Sequence, residues 1–135
     1  MPRFMGFVRM EEGIGTPPQA LFEAMDTYIG EQAAKGVFLD GGGLYGTEDA
    51  VNFVVREGVV SRVDGPYAEA KEVVGGFWIW QVSSMEEAVE WLKRAPFKDQ
   101  TVELRRIHEA ADFEGQLPPE VLDTERRLRA QMGGA

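Results

Sequence analysis

A short polar segment between two β-like runs carries the side chains with the greatest capacity for chemistry. Asp64, Glu69 and Glu72 are carboxylic acids, Lys71 is an amine and Tyr67 is a phenol. A carboxylate in such a group could serve as a general base. Lys71 could hold an anionic or carbonyl group of a ligand. A hydrophobic core has no need of this cluster, so the segment is the best candidate for a site.

The same residues also have a structural interpretation. Asp64-Gly65-Pro66 is typical of a turn, because Asp bonds to nearby backbone and Pro restricts the next backbone angle. Glu69, Lys71 and Glu72 could form an ion network that holds the segment on a sheet. The sequence favours this bracing role over catalysis, and it leaves both an enzyme and a binding protein open.

The other candidate residues do not define a metal or cofactor site. The carboxylates of Asp64, Glu69 and Glu72 could bind Mg²⁺, but nothing in their spacing requires it. His108 is the only histidine, and a site candidate, although a metal site would need partner ligands near it. The chain has no cysteine, which excludes thiolate catalysis and Cys-based metal sites. We therefore predict no cofactor and no metal.

Composition and charge narrow the classes of protein and partner. A chain of 135 residues with 27% charged residues suits one globular domain with a real core. The formal charge of −9 argues against nucleic acid and against anionic membrane surfaces. No run resembles a signal peptide or approaches the length of a membrane span. We expect a cytoplasmic protein that binds neither nucleic acid nor membrane.

The elements that must position the polar segment alternate between strands and helices. Strands are predicted from apolar runs at 4–10, 37–39, 77–82 and 101–107. Two further runs, 50–56 and 59–63, are joined at hairpin spacing by Glu57-Gly58. Capping boxes at 16–19 and 84–87 predict two helices that end near Gly36 and Pro96. Gly41-Gly42-Gly43 lacks the ending of a phosphate-binding loop and predicts a flexible connection.

This order of elements predicts an α+β fold, a ferredoxin-like split βαβ arrangement with an inserted hairpin. In the first helix, the apolar stripe predicted to face the core consists of Leu21, Met25, Ile29 and Ala33, widened by Phe22. We assign residues 1–109 to this domain. Residues 110–135 form a C-terminal tail with a charged helix, in which Asp123/Arg127 and Glu125/Arg129 are spaced for ion pairs.

Both faces of the strongest strand are apolar, which predicts a homodimer. Phe77 and Ile79 point to one side of the sheet, whereas Trp78, Trp80 and Val82 point to the other. In this fold the helices cover one face, so the second face is bare unless something packs on it. We expect two copies to pair across a two-fold axis through the face of Trp78 and Trp80. The alternative is that the tail covers the bare face within one chain.

The polar segment closely resembles the signature of the YCII-related, or DGPF-domain, family. The resemblance rests on Asp64-Gly65-Pro66-Tyr67-Ala68-Glu69-Ala70-Lys71-Glu72 and Gly75-Gly76-Phe77, with Tyr67 where the family name has Phe and Ala70 where Thr is frequent. Ser84-Met85-Glu86-Glu87-Ala88 and Trp91 resemble the family's second helix, so the likeness covers about 4–108. It implies a dimeric α/β-barrel of ferredoxin-like subunits.

The functional implications of this resemblance are broader. A His-Asp pair has been suggested to carry an enzymatic role in the wider family, but His108 lies outside the motif. Some members occur with alternative sigma factors, which implies a non-enzymatic regulatory partner in bacterial transcription as the alternative. The first hypothesis is a small-molecule-binding homodimer, with catalysis left open. Its pocket would lie between helices and sheet or at the dimer seam, near the Asp64–Glu72 segment.

Overall fold

A computed structural model describes residues 1–13, 17–67 and 71–133. The strands and helices within these ranges are β1 (Arg3–Met10), α1 (Gln19–Ala34), β2 (Phe38–Gly43), β3 (Val51–Arg56), β4 (Val59–Asp64), β5 (Val73–Gln81), α2 (Met85–Lys93), β6 (Thr101–Arg106) and α3 (Pro119–Gln131). Short 3-10 helices occur at Thr47–Asp49 and Ala110–Phe113. The predicted α+β class is confirmed.

Four strands form one antiparallel sheet in the order β2-β5-β1-β6. Strand β5 lies between β1 and β2 and runs antiparallel to both, so β1 and β2 are parallel to each other. Helix α1 is the crossover that connects these two parallel strands. In the same way, α2 connects the parallel strands β5 and β6, and β1 lies between them. Among the described residues, the strands close no barrel within one chain.

The inserted hairpin stands apart from this sheet. Strands β3 and β4 pair only with each other and form a separate two-stranded sheet. The hairpin turn is the predicted one, since Glu57 and Gly58 have positive φ angles of 51° and 78°. Two positive φ angles match the right-handed twist of the flanking strands, and glycine adopts such an angle without steric cost.

The core lies between the two crossover helices and one face of the sheet. The buried cluster consists of Phe4, Val8, Tyr28, Val37, Trp78, Trp80, Val82, Ala88 and Trp91. The Trp80 indole N–H donates to Gln32 Oε1 at 3.1 Å, which ties α1 to the sheet. The Tyr28 hydroxyl donates to the Trp91 carbonyl at 2.6 Å, which ties α1 to α2. The two helices therefore share one apolar layer.

The tryptophan face predicted to form a dimer interface is instead this core. Trp78 and Trp80 are only 7% and 1% exposed under the helices. Because side chains alternate, Phe77 and Ile79 belong to the opposite face, where both are half-buried. The prediction was wrong because both faces of the strand are apolar, and alternation does not tell which one the helices cover. A Trp80→Glu change would therefore disrupt the core itself.

Two predicted boundaries also differ in the structure. The predicted loop Asp40–Gly43 is part of β2, where Gly43 pairs with Gly76 and Gly42 with Phe77. Glycine is needed at position 41, since a Cβ there would lie 2.8 Å from the Phe77 carbonyl oxygen. Strand β5 accordingly begins at Val73 rather than Phe77. From composition alone, a run of glycines predicts a loop. Here the run pairs with β5, so it forms part of an edge strand.

The helices begin and end largely as predicted, and the predicted stripe of α1 is confirmed in part. Ser84 caps α2 by accepting from the Glu87 N–H at 3.1 Å, and Gly36 follows α1 with a positive φ. Thr16, the predicted cap of α1, lies outside the described residues. Three residues of the stripe face inward and are half-buried, namely Leu21, Met25 and Ile29. Phe22 is 53% exposed and Ala33 is exposed, whereas the fully buried residues of α1 are Tyr28 and Gln32. Because Gln32 is polar, the hydrophobic pattern of the sequence did not predict its position in the core.

The charged helix of the tail is present as α3. Arg129 pairs with Glu125 at 3.4 Å as its spacing predicts, whereas Asp123 pairs with Arg126 at 3.6 Å instead of Arg127. The residue that precedes the tail, Glu109, is held on the sheet by a partly buried ion pair. In this pair the Arg3 guanidinium donates from Nε to the Glu109 carboxylate at 2.6 Å.

Candidate functional site

The predicted polar residues lie at the surface after β4. Asp64 is the last residue of β4, and its exposed carboxylate pairs with Arg62 Nε at 2.7 Å. Lys71 and Glu72 are also exposed. Within the described part of the chain, no ion pair joins Lys71 to Asp64 or Glu72. Glu69 lies outside the described residues. The described members of the segment thus contain no ion pair of the expected network.

Tyr67 belongs to a hydrogen-bonded brace that was not anticipated. Its backbone N–H donates to Thr47 Oγ1 at 3.4 Å, and its hydroxyl donates to the Val63 carbonyl at 3.3 Å. Thr47 Oγ1 lies 2.7 and 2.6 Å from the two Glu12 carboxylate oxygens, and the Thr47 N–H also donates to this carboxylate. These bonds from Thr47 lower the pKa of Glu12 below its usual value. The sequence did not predict this contact between Glu12 and Thr47, because both are ordinary polar residues of loops.

The glycine of the Asp-Gly-Pro turn has a steric role. The Gly65 N–H donates to the Ala50 carbonyl at 2.9 Å, and the Gly65–Pro66 peptide is cis. A Cβ at Gly65 would lie 1.6 Å from the Thr47 carbonyl oxygen, so no side chain fits there. The turn therefore packs its backbone directly against the 3-10 helix Thr47–Asp49. This contact supports the structural interpretation of the turn.

His108 lies just beyond β6, two residues before the tail. Its side chain is 77% exposed, and Nδ1 is 4.0 Å from the Asp112 carboxylate. Its ring centroid is 5.1 Å from that of Phe113. Both neighbours belong to the tail, so these contacts link His108 to the C-terminal segment. The exposure leaves its imidazole open to solvent.

A cavity of about 260 Å³ lies between α1 and the sheet. Its helical wall includes Met25, Ile29 and Gln32, and its sheet wall includes Trp78 and Trp80. The far wall is formed by glycines of β2 and β5, namely Gly41, Gly42, Gly43, Gly75 and Gly76. A Cβ would meet no atom closer than 4.0 Å at Gly42 and Gly43, whereas Phe38 and Met10 already occupy the space beside Gly41 and Gly75. The described lining includes no charged side chain and none of the predicted site residues.

The glycine wall follows the polar segment directly in the chain. Glu72 precedes Val73, where β5 begins, and Gly75 and Gly76 come next. The polar segment therefore leads into the strand that forms one wall of the cavity. Sequence reasoning expected a pocket between helices and sheet or at the dimer seam, lined or braced by residues of the polar segment. The described residues of that segment, Tyr67, Lys71 and Glu72 among them, are not part of the lining of this cavity. The glycine pair after the segment was the available signal.

Two buried N–H groups have no hydrogen-bond partner of good geometry among the described residues. They are Nε2 of Gln32, which is fully buried, and Nε1 of Trp78, which lies over Gly6. Both residues line the cavity, but these two atoms have almost no surface open to it. The orientation of the Gln32 amide follows from its neighbour, since the Oε1 atom accepts from Trp80 Nε1. Exchanging the amide O and N atoms would oppose two donors.

Tyr28 is a neutral phenol beside this amide. Burial raises the pKa of Tyr28 to about 12, and a favourable interaction with Gln32 offsets only part of this rise. The Gln32 amide is near the Tyr28 oxygen but forms no hydrogen bond of good geometry with it. The Tyr28 proton is used in the bond to the Trp91 carbonyl. At neutral pH the described lining therefore offers mainly apolar surface and no charged acid or base.

The family follows from these features and from comparison with known proteins. The model of the YCII-related domain matches residues 3–111. The chain belongs to this family, which confirms the resemblance seen in the polar segment. No curated protein matches the chain.

Neither a metal-binding cluster nor a membrane-spanning helix occurs among the described residues. Within them, no group of three or more His, Asp or Glu side chains is placed to hold a metal ion. In the same ranges, every helix is too short or too polar to cross a membrane.

Gly65→Ala should destabilise the protein, because the new methyl group meets the Thr47 carbonyl oxygen and the turn must move. We expect a loss of about 1–3 kcal/mol in the free energy of unfolding, as for other overpacked sites. Chemical denaturation measures this loss. The matched control is Gly30→Ala in α1, where an added Cβ meets no atom within 4 Å. That change should stabilise the helix by about 0.5–1 kcal/mol. Equal stability of Gly65→Ala and the wild type would contradict the steric role.

Lys71→Met should leave the melting temperature nearly unchanged, because the side chain is exposed and exposed ion pairs contribute little. Lys98→Met, another exposed lysine, is the control for loss of one positive charge. Differential scanning calorimetry of both variants makes the comparison. A drop of several degrees in Lys71→Met alone would instead show that Lys71 braces the segment.

Proposed function

We propose that this protein is a small-molecule-binding homodimer of ferredoxin-like subunits. The binding site is the cavity between α1 and the sheet. The observation that carries the proposal is an apolar cavity of about 260 Å³ whose wall is made of glycines. A dry apolar cavity of about 150 Å³ is enough to bind benzene. This cavity therefore has room for a ring with a small substituent.

The character of the lining supports binding more than catalysis. Ligand pockets are mostly apolar with a few placed polar groups, and the described lining fits that pattern. A general acid or base would have to come from outside the described lining. The Asp64–Glu72 segment lies next to the glycine wall in sequence. We assign it the role of bracing that wall through Tyr67 and Thr47.

Two apolar surfaces support the homodimer. The first is the outer face of the sheet, where Met5, Phe7, Phe77 and Ile79 are half-buried. Met5 pairs with Ile79 and Phe7 with Phe77, so the four side chains form one patch. Packing this patch against a second copy would build the dimeric α/β-barrel that the family resemblance implies. A two-fold dimer brings the same patch together from both chains.

The second surface is one face of the β3–β4 hairpin. Pairing of Phe53 with Arg62 and of Val55 with Val60 places Val51, Phe53, Val55 and Val60 on one side. Phe53 is 70% exposed and Val55 is 64% exposed. A lone two-stranded hairpin is marginal in water without such packing. The hairpin also supports the alternative function, a regulatory partner in transcription, because an exposed apolar face suits a protein contact.

Filling the cavity should abolish ligand binding without unfolding the protein. Ile29→Trp places an indole in the cavity from α1, whereas Thr27→Trp adds the same group to an exposed position of that helix. With ethylbenzene as the probe, we expect binding by the wild type and by Thr27→Trp, and none by Ile29→Trp. Titrations followed by two-dimensional ¹H–¹⁵N NMR measure this. Absence of ethylbenzene binding to the wild-type cavity would contradict the proposed function.

The wild type should sediment as a dimer at micromolar concentration. Ile79→Glu should shift it to a monomer, because a charge would enter the centre of the proposed interface. Val89→Glu, at an exposed position of α2, is the control and should stay dimeric. Circular dichroism checks that both variants are folded. A wild-type monomer would contradict the homodimer and leave the hairpin open to a different partner.

A further inference from the structure

We propose that one side of α3 is an interaction surface for a second copy of this chain, whose α3 packs on it in the antiparallel direction. This inference goes beyond the proposed function, because the homodimer proposed there is formed through the outer face of the sheet. None of the four side chains of that patch belongs to the described lining of the groove along α3. The two contacts therefore use separate surfaces of the chain.

The groove along α3 exposes apolar side chains. Its wall on α3 includes Val121 and Leu128, and its opposite wall is formed within residues 108–113. Val121 and Leu128 are 47% and 46% exposed, although α3 is fixed to the rest of the chain by the buried side chain of Leu122. Single exposed apolar residues are common on protein surfaces, but here their spacing and the charges beside them match one particular partner.

The apolar residues are placed for a two-fold pair. Val121 and Leu128 are seven residues apart, which is close to two helical turns, so they lie on the same side of α3. When two antiparallel helices pair about an axis at the middle of this interval, Val121 of each copy meets Leu128 of the other. Thr124 lies beside that axis, where its small side chain lets the helices approach. This side of α3 is therefore complementary to itself.

Two charged residues at the edge of this side are left for a partner. Glu120 and Arg127 are also seven residues apart, and neither forms an ion pair within the described part of the chain. The other charges of α3 pair within the chain, namely Arg126 with Glu114 and Asp123, and Arg129 with Glu125. In an antiparallel pair, the same edge of each helix runs side by side in reverse order. Glu120 of each copy then lies beside Arg127 of the other, which gives two ion pairs.

The charges also select the direction of the helices and the occupant of the groove. A parallel pair would set acidic half against acidic half, since Glu120, Asp123 and Glu125 all precede the three arginines. Helices that lie on anionic membranes carry an excess of Lys or Arg, whereas α3 has three acids and three bases. A second copy matches better than a different protein, because only a two-fold pair requires a surface to be complementary to itself.

The contact between the helices is small and therefore weak. Helix α3 has 13 residues, and two helices of this length bury less than the surface of a stable interface, which is about 1,200 Å² or more. We expect the contact to form at about 0.1–1 mM. In that range it joins the sheet dimers that exist at micromolar concentration.

Sedimentation equilibrium of Ile79→Glu measures the α3 contact alone, because this change removes the proposed sheet interface. We expect a monomer at about 10 μM and mostly a dimer at about 1 mM. Leu128→Asp in the same background should weaken association about tenfold or more, since it places a carboxylate inside the contact. The control is Ala130→Asp, which adds the same charge at an exposed position of α3 outside the described lining and should associate like Ile79→Glu alone. Circular dichroism checks that each variant is folded.

A charge exchange tests the direction of the two helices. Glu120→Arg should weaken association about tenfold, because it sets like charges against each other at two places of the antiparallel pair. The double variant Glu120→Arg/Arg127→Glu has the same net charge as its parent and restores both ion pairs, so it should associate like the parent. Unchanged or stronger association of Glu120→Arg alone would contradict the antiparallel arrangement.

A disulfide tests the position of the axis. The chain has no cysteine, so a single introduced thiol gives an unambiguous cross-link. Thr124→Cys lies beside the axis and should form a disulfide-linked dimer under mild oxidation at about 1 mM. Asp123→Cys is the control, because the neighbouring residue points away from this side of the helix. Equal cross-linking of the two variants would contradict the proposed register.

The outcomes separate this inference from the proposed function. A protein that carries Ile79→Glu and stays monomeric at about 1 mM overturns the α3 contact, and the groove is then a site for a different protein or for none. Equal association of the Leu128→Asp and Ala130→Asp variants overturns it as well, because another surface then joins the copies. Neither result changes the sheet dimer, which the wild type tests at micromolar concentration.

Discussion

The arrangement of the whole layer between helices and sheet depends on the hydrogen bond from the Trp80 indole to the Gln32 amide. Trp80 and Gln32 are both fully buried, so neither polar group could be hydrated if the bond were broken. The bond fixes the distance of α1 from the sheet at the place where the cavity lies. It also fixes the orientation of the amide, with Nε2 as its donor atom. A polar pair in the core thus specifies both a packing distance and the orientation of a buried amide.

Glycines of β2 and β5 form part of the cavity wall, and their register is mixed. Gly43 pairs with Gly76, whereas Gly42 pairs with Phe77 and Gly41 with Trp78. Elsewhere the space between helix and sheet is filled, for example by the Trp78 indole over Gly6. Hydrophobic cores are normally packed without large voids. The opening between α1 and the sheet departs from that packing, which is why the proposed binding site is placed there.

The polar segment is organised by backbone contacts more than by ion pairs. Gly65 fits closely against Thr47, and Tyr67 bonds to the Thr47 side chain, which in turn is bonded to Glu12. This brace holds the base of the hairpin and the entry to β5 in a defined relation. The hairpin itself projects an apolar face beyond it. Three different groups of residues therefore brace the segment, line the cavity and form the apolar face of the hairpin.

The sequence by itself determined the kinds of elements, their order and the family. Strand alternation, the capping Ser84 and the turn Glu57-Gly58 are local signals, because short-range geometry decides them. The Asp-Gly-Pro signature is equally local, since a turn that tight demands those residue types. The tertiary structure alone decided which face of β5 the helices cover, because Phe77 and Ile79 are as apolar as Trp78 and Trp80. It also decided that Gln32 belongs to the core and that Gly41–Gly43 form a strand. Each of these depends on a partner distant in the chain, and a hydrogen bond or a pairing register with that partner overrides the local preference of the residue.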